Sequence, residues 1–144
     1  MSSYSITIVD WQSHEAVISA IRRQVFIAEQ GVSEALELDS QDCHYTHALV
    51  VDNDGNGIAT GRLQPDGKIG RMAVLRDWRG HGLGSAILKL LIDTARTHGL
   101  NGVELNAQVH ATAFYAEHGF IESGDTFMEA GIEHINMTLT LTQL

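Results

Sequence analysis

The sequence predicts one α/β domain over residues 1–144, in which helices flank a mixed, mostly antiparallel sheet in the order βαβββαβαββ. Three observations lead there. Successive strand-like runs are separated by short turn-forming segments, so they fold back as hairpins. One stretch carries apolar residues at helical spacing. A triplet of glycines sits between the last of those strands and that helix. With 144 residues and a hydrophobic share of 44%, the chain can bury a core without disulfides and does not read as disordered.

Ile6 and Ile8 alternate with Ser5 and Thr7 in a first strand. Ser13 stands at an N-cap position with Glu15 in the first turn. Val17, Ile21, Val25 and Ala28 follow at helical spacing, and Gly31 is the expected stop. Residues 32–43 are polar, acidic and aperiodic, a loop anchored by Leu36 and Leu38. Strands are expected over 45–51, 58–64 and 68–75, separated by residues 52–57 (DNDGNG) and 65–67 (PDG), which tolerate positive φ or preset a turn. Leu83, Ala86, Ile87, Leu90, Leu91 and Ala95 mark one face of a helix that stops at His98-Gly99. Val103, Leu105 and Ala107 define a further strand, and a short helix covers 112–118. The last strands are expected over 120–122 and 135–141. In the latter, Ile135, Met137, Leu139 and Leu141 share one face and His134 falls on the polar one.

Eighteen Asp and Glu against nine Lys and Arg leave a formal net charge of -9. Such a surface repels nucleic acid and anionic membranes over a Debye length of roughly 8–10 Å, and it draws cationic molecules. It is also an ordinary way to stay soluble, so it excludes partners better than it names them. Cys43 is the sole cysteine, which rules out an internal disulfide and a cysteine-rich zinc site. Met1-Ser2-Ser3-Tyr4 lacks the basic and apolar regions of a secretory signal, and no apolar run approaches the roughly 20 residues of a bilayer span. A cytoplasmic protein without membrane or nucleic-acid partners is the expectation.

Two metal motifs fail on their own requirements. Asp52, Asp54, Asn56 and Gly57 match the first half of a calcium loop, but its final carboxylate is replaced by Leu63, so a hairpin turn is the better reading. The eight histidines include no His-Glu-x-x-His, and His44 and His47 are three apart where a strand starts, which points them to opposite faces. No metal is expected. Gly80, Gly82 and Gly84 differ, because they lie where a strand hands over to an amphipathic helix. Glycines there let backbone N–H groups converge, and a helix start adds unpaired N–H groups and about half a positive charge. That makes a socket for a phosphate or pyrophosphate, with Arg79 as a cation at its rim. The plain alternative is a tight loop. A Walker loop is excluded because no Lys-Ser or Lys-Thr follows the glycines, and a dinucleotide fingerprint is weakened by Ser85, although Glu104 lies about twenty residues on.

Arg79-Gly80-His81-Gly82-Leu83-Gly84 resembles the Arg/Gln-x-x-Gly-x-Gly/Ala signature of the GNAT superfamily of N-acetyltransferases. Phe114-Tyr115-Ala116-Glu117-His118-Gly119-Phe120 is similar to the same family's Phe-Tyr-x-x-x-Gly-Phe block, in the same order and separation. Further local matches resemble the ElaA-type branch: Arg22-x-x-Val25-Phe26-Ile27-x-Glu29-Gln30, Glu37-x-Asp39-x-x-Asp42, Lys68-Ile69-Gly70-Arg71 and Gly131-Ile132-x-His134-x-x-Met137. The resemblance implies acetyl-CoA as co-substrate, held in a cleft where the sheet splays between the strand of Met72, Ala73 and Val74 and that of residues 103–107. It implies that the former strand's backbone meets the pantetheine arm, and that Arg79, Gly80, His81, Gly82, Leu83, Gly84 and Ser85 hold the pyrophosphate. It implies Tyr115 as general acid to the departing thiolate. Gln108 stands where the family often has Asn and is a candidate contact to the cofactor arm.

A phenol can donate a proton to a leaving group at neutral pH, which suits Tyr115, although a packing tyrosine is the simpler alternative. Glu29, Glu37, Asp39, Glu104, His134 and water stay open as the general base. Direct transfer to a primary amine is expected, since Cys43 is the only thiol and lies in an unrelated loop. Glu37, Asp39 and Asp42 in the 32–43 loop would favour a cationic small-molecule or peptide amine. A non-catalytic acyl-CoA sensor and a dinucleotide-binding module are the alternatives, and a homodimer is left open.

Overall fold

The computed structural model describes residues 3–141; the first and last residues of the sequence, with the Met1-Ser2 start read above, lie outside it. Strands β1 (Tyr4–Val9), β2 (Thr46–Asp52), β3 (Gly57–Leu63) and β4 (Ile69–Val74) form one antiparallel sheet in that spatial order. Strands β5 (Gly102–Gln108), β6 (Ile121–Glu129) and β7 (Ile132–Thr140) form a second, in the order β5-β7-β6. The two sheets touch through one parallel bridge, Lys68 with Glu104, where the Glu104 N–H donates to Gly67 O at 3.0 Å. Beyond that point β4 and β5 share no ladder among the described residues. The expected splay is therefore present, and it splits the sheet in two.

Helices cover both faces of the first sheet. On one side α1 (Trp11–Arg22) buries Ile18 and Ile21 against Leu49 and Ala73. On the other, α3 (Leu83–Thr97) buries Leu83, Ile87, Leu88, Leu91, Ile92 and Ala95 against Ala48, Val50, Ile58 and Leu105. Full burial of each Leu or Ile stabilises by about 1.5–3 kcal/mol. The buried stripe is turned slightly from the one read in the sequence, since Leu88 and Ile92 are inside while Ala86 and Leu90 are only half-buried. At Gly61 in β3, an added Cβ would lie 2.7 Å from Ile87 Cγ2 and 3.2 Å from Met72 Cγ, so α3 rests on the sheet where a side chain is missing.

Several expectations change. The N-cap of α1 is Asp10, whose carboxylate accepts from the Ser13 N–H at 2.8 Å; Ser13 lies inside the first turn, which holds no acidic residue. After Arg22 the helix widens into π-helical turns over Arg23–Glu29, an insertion type common at functional sites. The 32–43 segment contains a short helix, α2 (Glu34–Glu37), capped by Ser33. Its anchors are not Leu36 and Leu38, which are 61% and 57% exposed, but the buried carboxylates of Glu37 and Asp42. The closing strands are longer than read. β6 runs to Glu129, and a tight turn with positive φ at Ala130 and Gly131 joins it to β7. A register shift between Ser123 and Phe127 at Gly124 hides the alternation of β6. Short α4 (Thr112–Glu117) precedes β6.

Candidate active site

The split between β4 and β5 opens a cleft of about 450 Å³, within the range of small-molecule sites. Its walls come from the π-helical turns and the residue after them (Phe26, Gln30), α2 (Leu36, Glu37), β4 (Ile69, Gly70, Arg71, Met72), β5 (Leu105, Asn106, Gln108), α4 (Tyr115), the end of β6 with its turn (Glu129, Ala130) and β7 (Ile132, His134). A bulge shapes the β4 wall. The register slips between Thr60 and Arg62, and Arg71 takes a left-handed backbone with φ 47. A non-glycine residue in that region costs free energy and marks a place where a side chain is re-aimed.

Tyr115 packs edge-on against Phe114 and Phe120, with ring centroids 5.0 and 6.1 Å away. Its hydroxyl makes no hydrogen bond among the described residues. Burial pushes its pKa up, so the phenol keeps its proton at neutral pH and acts as a donor. His134 keeps the expected face with Asn136 and Thr138 but is buried there, because the longer β6 covers it: Phe127 stacks on the ring at 6.0 Å. Its Nδ1 lies 2.6 Å from Ile132 O, which only an Nδ1–H can donate to, leaving the Nε2 lone pair free in the neutral ring. Glu129 Oε2 is 3.7 Å from that Nε2.

The acidic candidates are otherwise engaged. Arg79 Nη2 holds Glu29 at 2.7 Å, and Arg76 lies 3.8 Å from the same oxygen. Arg79 also donates through Nε to Val74 O at 2.9 Å, so the rim cation and one expected main-chain contact of β4 are spoken for by each other. Glu37 pairs with Arg22, and Arg22 Nη2 holds Asp42 at 3.0 Å. Arg62 Nη1 holds Asp42 at 2.8 Å and Asp39 at 3.0 Å. The loop acids thus face arginines, which removes the reason to expect a cationic acceptor. Burial would push the Asp42 carboxyl up, but Arg22 and Arg62 hold it below the usual carboxylate value. Glu104 is exposed and outside the cleft.

The cofactor-side residues divide into two groups. Met72 and Gln108 line the cleft, Gln108 with Nε2 donating to Gln30 at 3.1 Å and its oxygen 2.7 Å from His110. Ala73 turns its side chain into the α1 core. Residues 79–85 lie beyond the cleft lining, past the end of β4. There Gly82 is the N-cap of α3 in the left-handed region, no side chain caps the helix, and a Cβ on Gly80 or Gly82 would meet open space. Ser85 Oγ pairs with His118 Nε2 at 3.1 Å, and the His81 ring sits edge-on to Trp78. Sequence reasoning missed Arg62, Glu129 and Ala130, and it met Lys68 and Ile132 only within short local matches, without a role. A buried-cation signal was available for Arg62, an arginine inside a strand flanked by Gly61 and Leu63.

The sheet thus splits in two around the cleft, and an uncapped helix start lies past the end of β4. The family model described as the acetyltransferase (GNAT) domain matches residues 9–141, and the chain belongs to that family. YjcF of Bacillus subtilis, an uncharacterised protein named as an N-acetyltransferase, is 36% identical over 121 residues, covering 81% of this chain and 86% of YjcF. An acyl-CoA N-acyltransferase from Pseudomonas aeruginosa superposes with a TM-score of 0.85 at 28% identity, over 94% of this chain and 99% of that one. ElaA of Escherichia coli superposes with a TM-score of 0.84 at 26% identity, over 93% and 98%. The protein is therefore an acyltransferase that uses acyl-CoA. No helix among the described residues is long and apolar enough to cross a membrane.

Proposed function

We propose that the chain moves an acetyl group from acetyl-CoA directly to a primary amine, with Tyr115 as general acid and His134 as general base. One observation carries this reading: a phenol without a protein hydrogen bond and an imidazole with one tied nitrogen line the same cleft. Of the five side chains considered as base, Glu29, Glu37 and Asp39 are held by arginines and Glu104 lies outside the cleft, which leaves His134. Acetyl-CoA supplies an activated acyl carbon and a thiolate that can leave. Residues 79–85 would bind the pyrophosphate through main-chain donors at the start of α3, with the β4 edge at Met72, Ala73 and Val74 and the Gln108 amide along the arm. His134 Nε2 takes the proton of the attacking amine, and Glu129 nearby stabilises the resulting imidazolium. Tyr115 gives its proton to the departing sulfur.

Steady-state thiol release with calorimetry tests this assignment. Tyr115→Phe should lower kcat by about 10²–10⁴-fold with acetyl-CoA affinity retained. His134→Gln should lower kcat with acetyl-CoA affinity retained. An unchanged kcat in either variant removes that residue from its role, and absence of acetyl-CoA binding to the native protein ends the reading altogether.

A further inference from the structure

The charged lining of the cleft is cationic on balance. Of the charged side chains that line the cleft, Arg62, Arg71 and Lys68 stand against Glu37 and Glu129, one cation in excess, in a protein whose overall balance is strongly acidic. The surplus points inward. Arg62 is 5% exposed, lines the cleft, and keeps a buried Nε without any hydrogen-bond partner, although its Nη1 is fully used by Asp39 and Asp42. Arg71 is similar. Its Nη2 donates to Leu36 O at 3.1 Å and Glu37 O at 3.2 Å, its Nε is buried and unpartnered with Glu37 3.9 Å away, and no hydrogen bond engages Nη1. Lys68 brings an ammonium to the same wall with no ion pair among the described residues. Burial, Arg62 and Arg22 all push the Arg71 guanidinium below its usual pKa, as expected for a cation facing other cations. The β4 bulge at Arg71 costs backbone strain and brings its guanidinium to the cleft wall, where only Nη2 finds hydrogen-bond partners among the described residues.

We infer that Arg71, with Arg62 and Lys68 beside it, forms a carboxylate-binding subsite, so that the amine acceptor is an amino acid or another amine that also carries a carboxylate. The lining is short of a single negative charge, which one carboxylate supplies, and the unpaired donors of Arg62 and Arg71 are guanidinium N–H groups, which pair strongly with carboxylate oxygens. A doubly charged phosphate would leave the cluster negative. The inference rests on the acetyltransfer reading for the word acceptor, but the subsite can be measured without turnover. A buried donor set built for an anion discriminates strongly against a neutral analogue, because the donors are then left unpaired.

The test uses calorimetry on the coenzyme A-saturated protein with reaction products in matched pairs: N-acetylglycine against N-acetylglycinamide, and N-acetyl-β-alanine against its amide. Each acid should bind at least about 10-fold more tightly than its amide. Arg71→Gln should bring the ratio close to one, and Arg71→Lys should keep part of it, with thermal midpoints reported for both variants to exclude unfolding. An acid that binds no better than its amide overturns the inference, and so does a preference that survives in Arg71→Gln. Tighter binding of the product N-acetyl-O-phosphoethanolamine would overturn the choice of carboxylate. A parallel thiol-release assay with the free amines reports separately on acetyltransfer. Acid-selective binding without turnover would retain the subsite and sink the enzyme assignment of Tyr115 and His134.

Discussion

The two ends of the site solve the problem of holding charge in opposite ways. At the inner end, Arg22, Arg62 and Arg71 are gripped by Glu37, Asp39 and Asp42 in a buried network. At the outer end, residues 79–85 offer main-chain donors at an uncapped helix start in open space. The inner end depends on side-chain identity and on being complete. The outer end depends on backbone shape and tolerates many side chains. Stability should therefore concentrate in the network, and cofactor affinity in the loop.

The largest effect expected from breaking this contrast is at Asp42. Asp42→Asn leaves Arg22 and Arg62 each short of a buried counter-charge, and removing one partner of such a network costs about 3–5 kcal/mol, measurable by urea unfolding. A cost below about 1 kcal/mol would mean that water already reaches the cluster. Next comes Gly82→Ala. A Cβ in the left-handed region costs about 1–2 kcal/mol, and the resulting shift of the first α3 amides should weaken acetyl-CoA binding. Retained affinity at reduced stability would show that the loop is only a turn.

The mildest test is pH. His47 is buried beside the network, with Nε2 2.8 Å from Asp42 O and Nδ1 unpartnered. Burial holds its pKa below the ordinary 6.5, so the unfolded chain takes up the proton first. Stability from this group is complete above about pH 6.5 and declines as pH falls below it, whereas the Asp42 contribution declines only in stronger acid, below its ordinary 3.8. Thermal midpoints from about pH 8 to about pH 5 should fall in the native protein and fall less in His47→Gln. Parallel curves would remove His47 from the account.

The fold was legible where periodicity and turn chemistry agree. The hairpins around residues 52–57 and 65–67 and the glycine entry to α3 appear within a residue or two of their expected bounds. β6 was legible only at its start, over 120–122, because a bulge at Gly124 breaks the alternation and the turn after Glu129 puts Ala130, instead of the usual Asn or Asp, in the left-handed region. The 32–43 segment looked like a loop with apolar anchors, since nothing in one chain shows that an acid is buried until its arginine is located. Arg22, Glu37, Asp39, Asp42 and Arg71 were noticed as separate short matches. Only the fold brings them into one cluster, and the pairing within it holds Glu37 and Asp39 against arginines.

The bare position at Gly61 gives the site a mechanical reference. Ile87 of α3 and Met72 of the cleft wall both lean into the space where a side chain would be. A methyl group there would act like a shim under a beam: it would tilt the long helix, lift the amides at its leading end, and press Met72 into the opening. The spacing between the start of α3 and the cleft wall at Met72 is thus gauged by a single hydrogen atom on the strand beneath them.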